Sequence, residues 1–102
     1  SDLRKKLKEN SAYFRREMES AGFKLLPGEH PIIPIMLGDA ELAKNMANEL
    51  LNEGIYVVGF SYPVVPKGLA RIRTQISAAH SKQDLERAVS AFIKIGKKLG
   101  VI

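Results

Sequence analysis

Residues 61–80 read SYPVVPKGLARIRTQISAAH, and the reading of this stretch decides the fold. Pro63, Pro66 and Gly68 make its first part a stiff, turn-rich loop. Arg71 to Ser77 then alternates, with Ile72, Thr74 and Ile76 on one side and Arg71, Arg73, Gln75 and Ser77 on the other. Strict alternation marks a strand with one face buried and one face free. Arginine repeated on the free face, directly after a stiff loop, makes a surface suited to an anion.

Working upstream, residues 55–60 (IYVVGF) are β-branched and aromatic, as a strand requires. Only about nine residues separate this strand from the arginine strand, too few for a helical crossover, so the two should pair antiparallel. Downstream, Ser81 is placed to cap a helix, with Asp84 three residues on as a carboxylate variant of the capping box. Leu85, Ala88, Val89, Phe92, Ile93, Gly96 and Leu99 form the predicted buried stripe of that helix.

In the first half, residues 2–22 carry Leu3, Leu7, Phe14, Met18 and Ala21 at helical spacing with Tyr13 beside them, and Gly22 is a natural stop. This amphipathic helix is expected to dock on the domain's own sheet rather than on a missing neighbour, with its exposed end able to lead into a preceding domain. Pro27-Gly28 marks a turn. Residues 32–37 (IIPIML) read as a strand whose unbroken apolar character predicts cover on both faces. Pro34 cannot donate to a ladder, so the strand should be an edge or should turn that position away from its pairing partner. Asp39 is a candidate N-cap, with Glu41 in the first turn, and Leu42, Ala43, Met46, Ala47, Leu50 and Leu51 trace one face through to Gly54. The expected architecture is α+β, in the order α-β-α-β-β-α: a two-layer sandwich with a small, mostly antiparallel sheet of three to four strands and helices on one face.

The 102 residues fit one domain, and 45% hydrophobic with 26% charged residues is ordinary globular composition. With no cysteine there is no disulfide framework and no thiolate metal site; with two histidines besides, no metal site is expected. No apolar run approaches the roughly 18–20 residues of a membrane span, and no signal-peptide pattern opens the chain, so the reading is of a soluble intracellular protein. The chain begins at Ser1 and enters helical sequence at once, as an excised domain would.

The net charge of +5 raises the question of a polyanion partner. Residues 1–24 hold seven basic and four acidic groups, 25–66 one and five, and 67–102 eight and two. Lys5, Lys6, Lys8, Lys94, Lys97 and Lys98 fall on solvent faces of terminal helices, and the aromatics that nucleic-acid binders interleave with charge are missing. A stand-alone basic module binding RNA or another polyanion is therefore the second reading.

Catalytic groups are sparse. No phosphate-binding glycine loop is present, and Val65-Pro66-Lys67-Gly68 places proline where free N–H groups would be needed. Neither His30 nor His80 has a context marking it as a base, and His80 at the strand-to-helix junction suits a structural hydrogen bond. The arginines differ: a guanidinium fork is matched to a carboxylate, although exposed arginines can equally be solvated or ion-paired across strands.

The runs GIYVVGFSYPVVPKG at 54–68 and ARIRTQISAAH at 70–80, with His30-Pro31-Ile32, Met36-Leu37-Gly38-Asp39 and residues 96–102, resemble the α-oxoamine synthases, specifically their glycine C-acetyltransferase branch. The resemblance covers essentially the whole chain but only the last quarter or so of such an enzyme. It implies a fold-type I, pyridoxal 5'-phosphate-dependent homodimer that condenses glycine with acetyl-CoA to 2-amino-3-ketobutyrate and CoA, in threonine degradation. The expected compartment is the bacterial cytoplasm rather than a mitochondrial matrix, with no nucleic-acid or membrane partner. In that family the small C-terminal domain supplies an arginine to the amino-acid carboxylate, the second arginine of the RIR motif, here Arg73. Arg71 is left a supporting or structural place, and the loop 61–68 is expected near the cleft entrance. The cofactor lysine and its companions belong to the large domain, and none of the ten lysines here sits in the cofactor-lysine motif. By itself this polypeptide is expected to be catalytically inert.

Overall fold

The computed structural model describes residues 2–28 and 30–102. The elements run α1 (Asp2–Ala21), β1 (Lys24–Leu25), β2 (Ile32–Gly38), α2 (Ala40–Asn52), β3 (Val58–Phe60), β4 (Ala70–Gln75) and α3 (Lys82–Lys98). All pairings are antiparallel, in the spatial order β1-β2-β4-β3. The α+β sandwich and the β3–β4 pairing match the sequence reading. The two-residue β1 adds an element to the expected order, formed because the segment after Gly22 lies alongside Ile35 and Met36.

The helix ends follow from local chemistry. At Gly22 (φ 110°) the Phe23 N–H donates to the Met18 carbonyl and the Gly22 N–H to that of Glu19. Gly54 (φ 83°) ends α2 the same way, through Ile55 to Leu50 and Gly54 to Leu51. These are Schellman closures, which need a left-handed residue that glycine adopts without strain. Asp39 caps α2 by accepting from Leu42 N–H at 2.9 Å. The Ser81–Asp84 capping box opens α3 with both reciprocal bonds present.

The core lies between one sheet face and the helices, with Ile33, Ile35 and Ile72 meeting Phe14, Met18, Met46, Leu50 and Phe92. Phe92 packs T-shaped with both Phe14 and Phe23, each pair with centroids 6.0 Å apart. Helix α2 lies on β2, β3 and β4, while α1 meets the sheet at β1, as expected, and leans more heavily on α3. Leu3 and Leu51, assigned to buried stripes by spacing, are 72% and 57% exposed. Leu3 lies in the first turn of α1, and Leu51 is turned one residue past the contact face of Leu50. Conversely, Ala91 and Ile95 are buried because α3 touches both α1 and α2, which widens its apolar arc.

β2 is an interior strand, flanked by β1 and β4. Pro34 is tolerated there because its carbonyl accepts from Leu26 N–H on the β1 side. A residue's N and O point the same way in a strand, so the missing donor faces β1, beyond its last residue, and the β2–β4 ladder loses nothing. The Leu26 carbonyl that such a donor would have served accepts from the Arg15 guanidinium instead. The cover predicted on both faces of β2 is supplied by this chain on one face only. Ile33 and Ile35 are buried, while Ile32, Pro34 and Met36 remain half-buried on the face away from the helices.

Candidate functional site: an arginine on the uncovered sheet face

β4 alternates as its sequence requires. Ala70, Ile72 and Thr74 are buried toward the helices, Arg71 is half-buried, and Arg73 and Gln75 are exposed on the other face. The register sets Arg73 between Pro34 of β2 and Val58 of β3, and Arg71 between Met36 and Phe60. Among the described residues no strand carries an aspartate or glutamate. Consequently neither arginine is in a salt bridge among the described residues, which removes the cross-strand ion pair as an account of them.

The two arginines, equivalent in the sequence pattern, are placed differently. Arg71 turns back and its Nε donates to the Leu69 carbonyl at 3.2 Å. The Arg73 guanidinium stands over the ring of Phe60, Cζ lying 5.0 Å from the centroid. Phe60 is its diagonal neighbour, two residues along β3 from Val58. The sequence reading gave Phe60 only a strand role; its signal was its spacing from Val58, which is informative only once the register with Arg73 is known.

The loop from β3 to β4 turns at Ser61–Val65 and Pro66–Leu69 and contains a cis Tyr62–Pro63 peptide. Tyr62, Val64 and Leu69 are exposed, and Lys67 Nζ lies 5.0 Å from the Tyr62 ring centroid. The loop leaves the sheet at the Phe60–Arg71 end, two residue pairs along the ladder from Arg73.

Both histidines take part in local hydrogen bonds. His30 Nδ1 accepts from Ile32 N–H at 3.1 Å, and His80 Nδ1 accepts from Ser77 N–H at 3.0 Å. Asn10, which sequence inspection missed, donates from α1 to the carbonyls of Ser77 and His80 at 3.0 and 2.9 Å. Among the described residues no group of three or more histidines and carboxylates could hold a metal ion, and no helix is long and apolar enough to cross a membrane. Part of the basic charge is spent within the fold: Lys94 and Lys98 pair with Glu53 and Glu49 at 3.2 and 2.6 Å, and Arg87 donates to the Glu53 carbonyl.

The chain as a whole is similar to known proteins. Residues 1–92 match the aminotransferase class I and II family, and the chain belongs to it. It is 60% identical over all 102 residues to a 2-amino-3-ketobutyrate coenzyme A ligase of Escherichia coli (strain K12). To the mitochondrial 2-amino-3-ketobutyrate coenzyme A ligase of Homo sapiens it is 57% identical over 89 residues, 87% of this chain and 21% of that protein. A serine palmitoyltransferase from S. paucimobilis, solved with bound PLP-myriocin aldimine, superimposes with a TM-score of 0.92 at 29% identity, covering 99% of this chain and 26% of that one. The chain spans about a quarter (26%) of the length of the E. coli relative.

Proposed function

We propose that this chain is the small C-terminal domain of a glycine C-acetyltransferase, the enzyme that joins glycine and acetyl-CoA to give 2-amino-3-ketobutyrate and CoA. Arg73 is its receptor for the glycine carboxylate. The observation that carries the reading is the state of Arg73: an exposed guanidinium at the centre of an uncovered sheet face, with no acidic residue on any strand to neutralise it. Its fork of N–H donors is matched to a carboxylate, and a charge-assisted pair of this kind contributes about 1.5–3 kcal/mol. Two-point binding also fixes the orientation of the amino acid, so a cation of the wrong shape lowers rate as well as affinity.

The residues present do not themselves fit pyridoxal phosphate, which requires a covalent lysine anchor and a carboxylate partner for the ring nitrogen. All ten lysines are exposed, and the uncovered sheet face offers no carboxylate. The cofactor therefore belongs to the remainder of the longer enzyme, as does the opposite wall of the site, and this polypeptide alone is inactive. In the intact homodimeric enzyme, Arg73→Lys should retain the cofactor and weaken glycine about tenfold or more, from the lost bidentate contact. Steady-state kinetics with glycine varied tests it; unchanged glycine parameters would refute the assignment.

A further inference from the structure

We infer that Phe60 is the positioning residue of the carboxylate site, its ring setting where the Arg73 guanidinium stands; this rests on the reading that Arg73 receives the substrate carboxylate. An arginine side chain is long and flexible, and on a sheet face it is ordinarily pinned by a carboxylate across the strand. Such a partner would compete with an incoming anion for the same N–H donors. Here the strand positions beside Arg73 are Pro34 and Val58, and what holds the cation is the face of Phe60 with its centroid 5.0 Å from Cζ. A ring attracts the cation through its quadrupole and occupies none of the guanidinium's five donors, so the fork stays open to a ligand.

Phe60 is itself well placed to act as a fixed platform. It is half-buried and sits in the β3–β4 ladder opposite Arg71. The next residue toward the helices, Gly59, lies close under α2, where a Cβ would come 3.8 Å from the Ala43 carbonyl. Arg71 does not displace Arg73 from the ring, its own Nε being directed to the Leu69 carbonyl. The diagonal cross-strand separation of about 7–8 Å between Cα atoms is one that aromatic and long side chains bridge readily.

The test is made on the intact, cofactor-loaded enzyme containing this chain, with Phe60→Leu, Phe60→Ile, Phe60→Tyr, Arg73→Gln and the double variant of Phe60→Leu with Arg73→Gln. The glycine Kd is read from the cofactor's absorbance, beside the acetyl-CoA KM and the melting temperature. Both aliphatic variants should weaken glycine about two- to fivefold, the range for an exposed cation–ring contact, with the acetyl-CoA KM unchanged. Phe60→Tyr, which keeps the ring, should restore wild-type affinity. In the Arg73→Gln background Phe60→Leu should change nothing further. The inference is overturned if the aliphatic variants bind glycine like wild type, if Tyr fails to rescue, or if Phe60→Leu costs as much without Arg73 as with it. Those outcomes leave the carboxylate reading standing provided Arg73→Gln alone weakens glycine; if it does not, that reading falls and takes the inference with it.

Discussion

Gly96 of α3 lies directly against the ring of Phe23: a Cβ at position 96 would stand 2.7 Å from Phe23 Cζ and 3.2 Å from the Ile102 side chain. The Phe23 ring has no room to retreat, being 4% exposed and edge-on to Phe92. Alanine is favoured over glycine in a helix by about 1 kcal/mol, but overpacking a filled core costs roughly 1–3 kcal/mol. Gly96→Ala should therefore destabilise the fold by about 1 kcal/mol net, read as a lowered urea midpoint with an unchanged m-value.

Asn10 ties the middle of α1 to the turn between β4 and α3 by two hydrogen bonds. Asn10→Ala leaves the Ser77 and His80 carbonyls without that donor in a partly buried place, and about 1–2 kcal/mol of stability should be lost. Asn10→Asp should be worse than alanine at neutral pH, because it turns an anion toward two carbonyl oxygens. Equal melting temperatures for the two variants would count against this arrangement.

Ser11 offers the opposite sign. It is 5% exposed, and its Oγ has no hydrogen-bond partner among the described residues. Burying an unpaired hydroxyl is unfavourable, and serine is the poorer helix former. Ser11→Ala should raise stability by about 1 kcal/mol in equilibrium unfolding; a loss would mean that the hydroxyl contributes in a way its surroundings do not reveal.

At the start of α3, the Ser81 backbone N–H donating to Asp84 holds that carboxyl below its ordinary 3.8, with the Ser81 hydroxyl and the nearby His80 and Arg87 adding to the effect. A carboxylate lowered in the folded state stabilises above its unfolded value and loses that contribution as pH falls through the folded one. The capping box should therefore act at full strength at neutral pH and fade below about pH 4. Asp84→Asn should reduce stability at pH 7 and flatten its fall in acid, whereas Ser81→Ala should cost about 1 kcal/mol through the lost cap. Melting curves from pH 7 down to pH 3 distinguish the two.

Much of this protein is legible in one dimension because its signals are local. Alternation in β4 places Ile72 and Thr74 inside and Arg71 and Arg73 outside, and it does so whatever the neighbouring strands are. The caps at Asp39 and Ser81 and the stops at Gly22 and Gly54 are short-range hydrogen-bond chemistry, readable from a few adjacent residues. The family resemblance adds Arg73 as the residue to watch. Neighbours are what the chain order does not state. That β2 is interior despite Pro34 depends on which side its missing donor faces, which only the β1 pairing decides. The burial of Ile95 depends on α1 and α2 closing on α3 together. The difference between Arg71 and Arg73 likewise arises from register, which sets one beside Phe60 directly and the other diagonally over its ring. Periodicity determines the face a side chain takes; the partner it meets there is decided by the packing of segments distant in sequence.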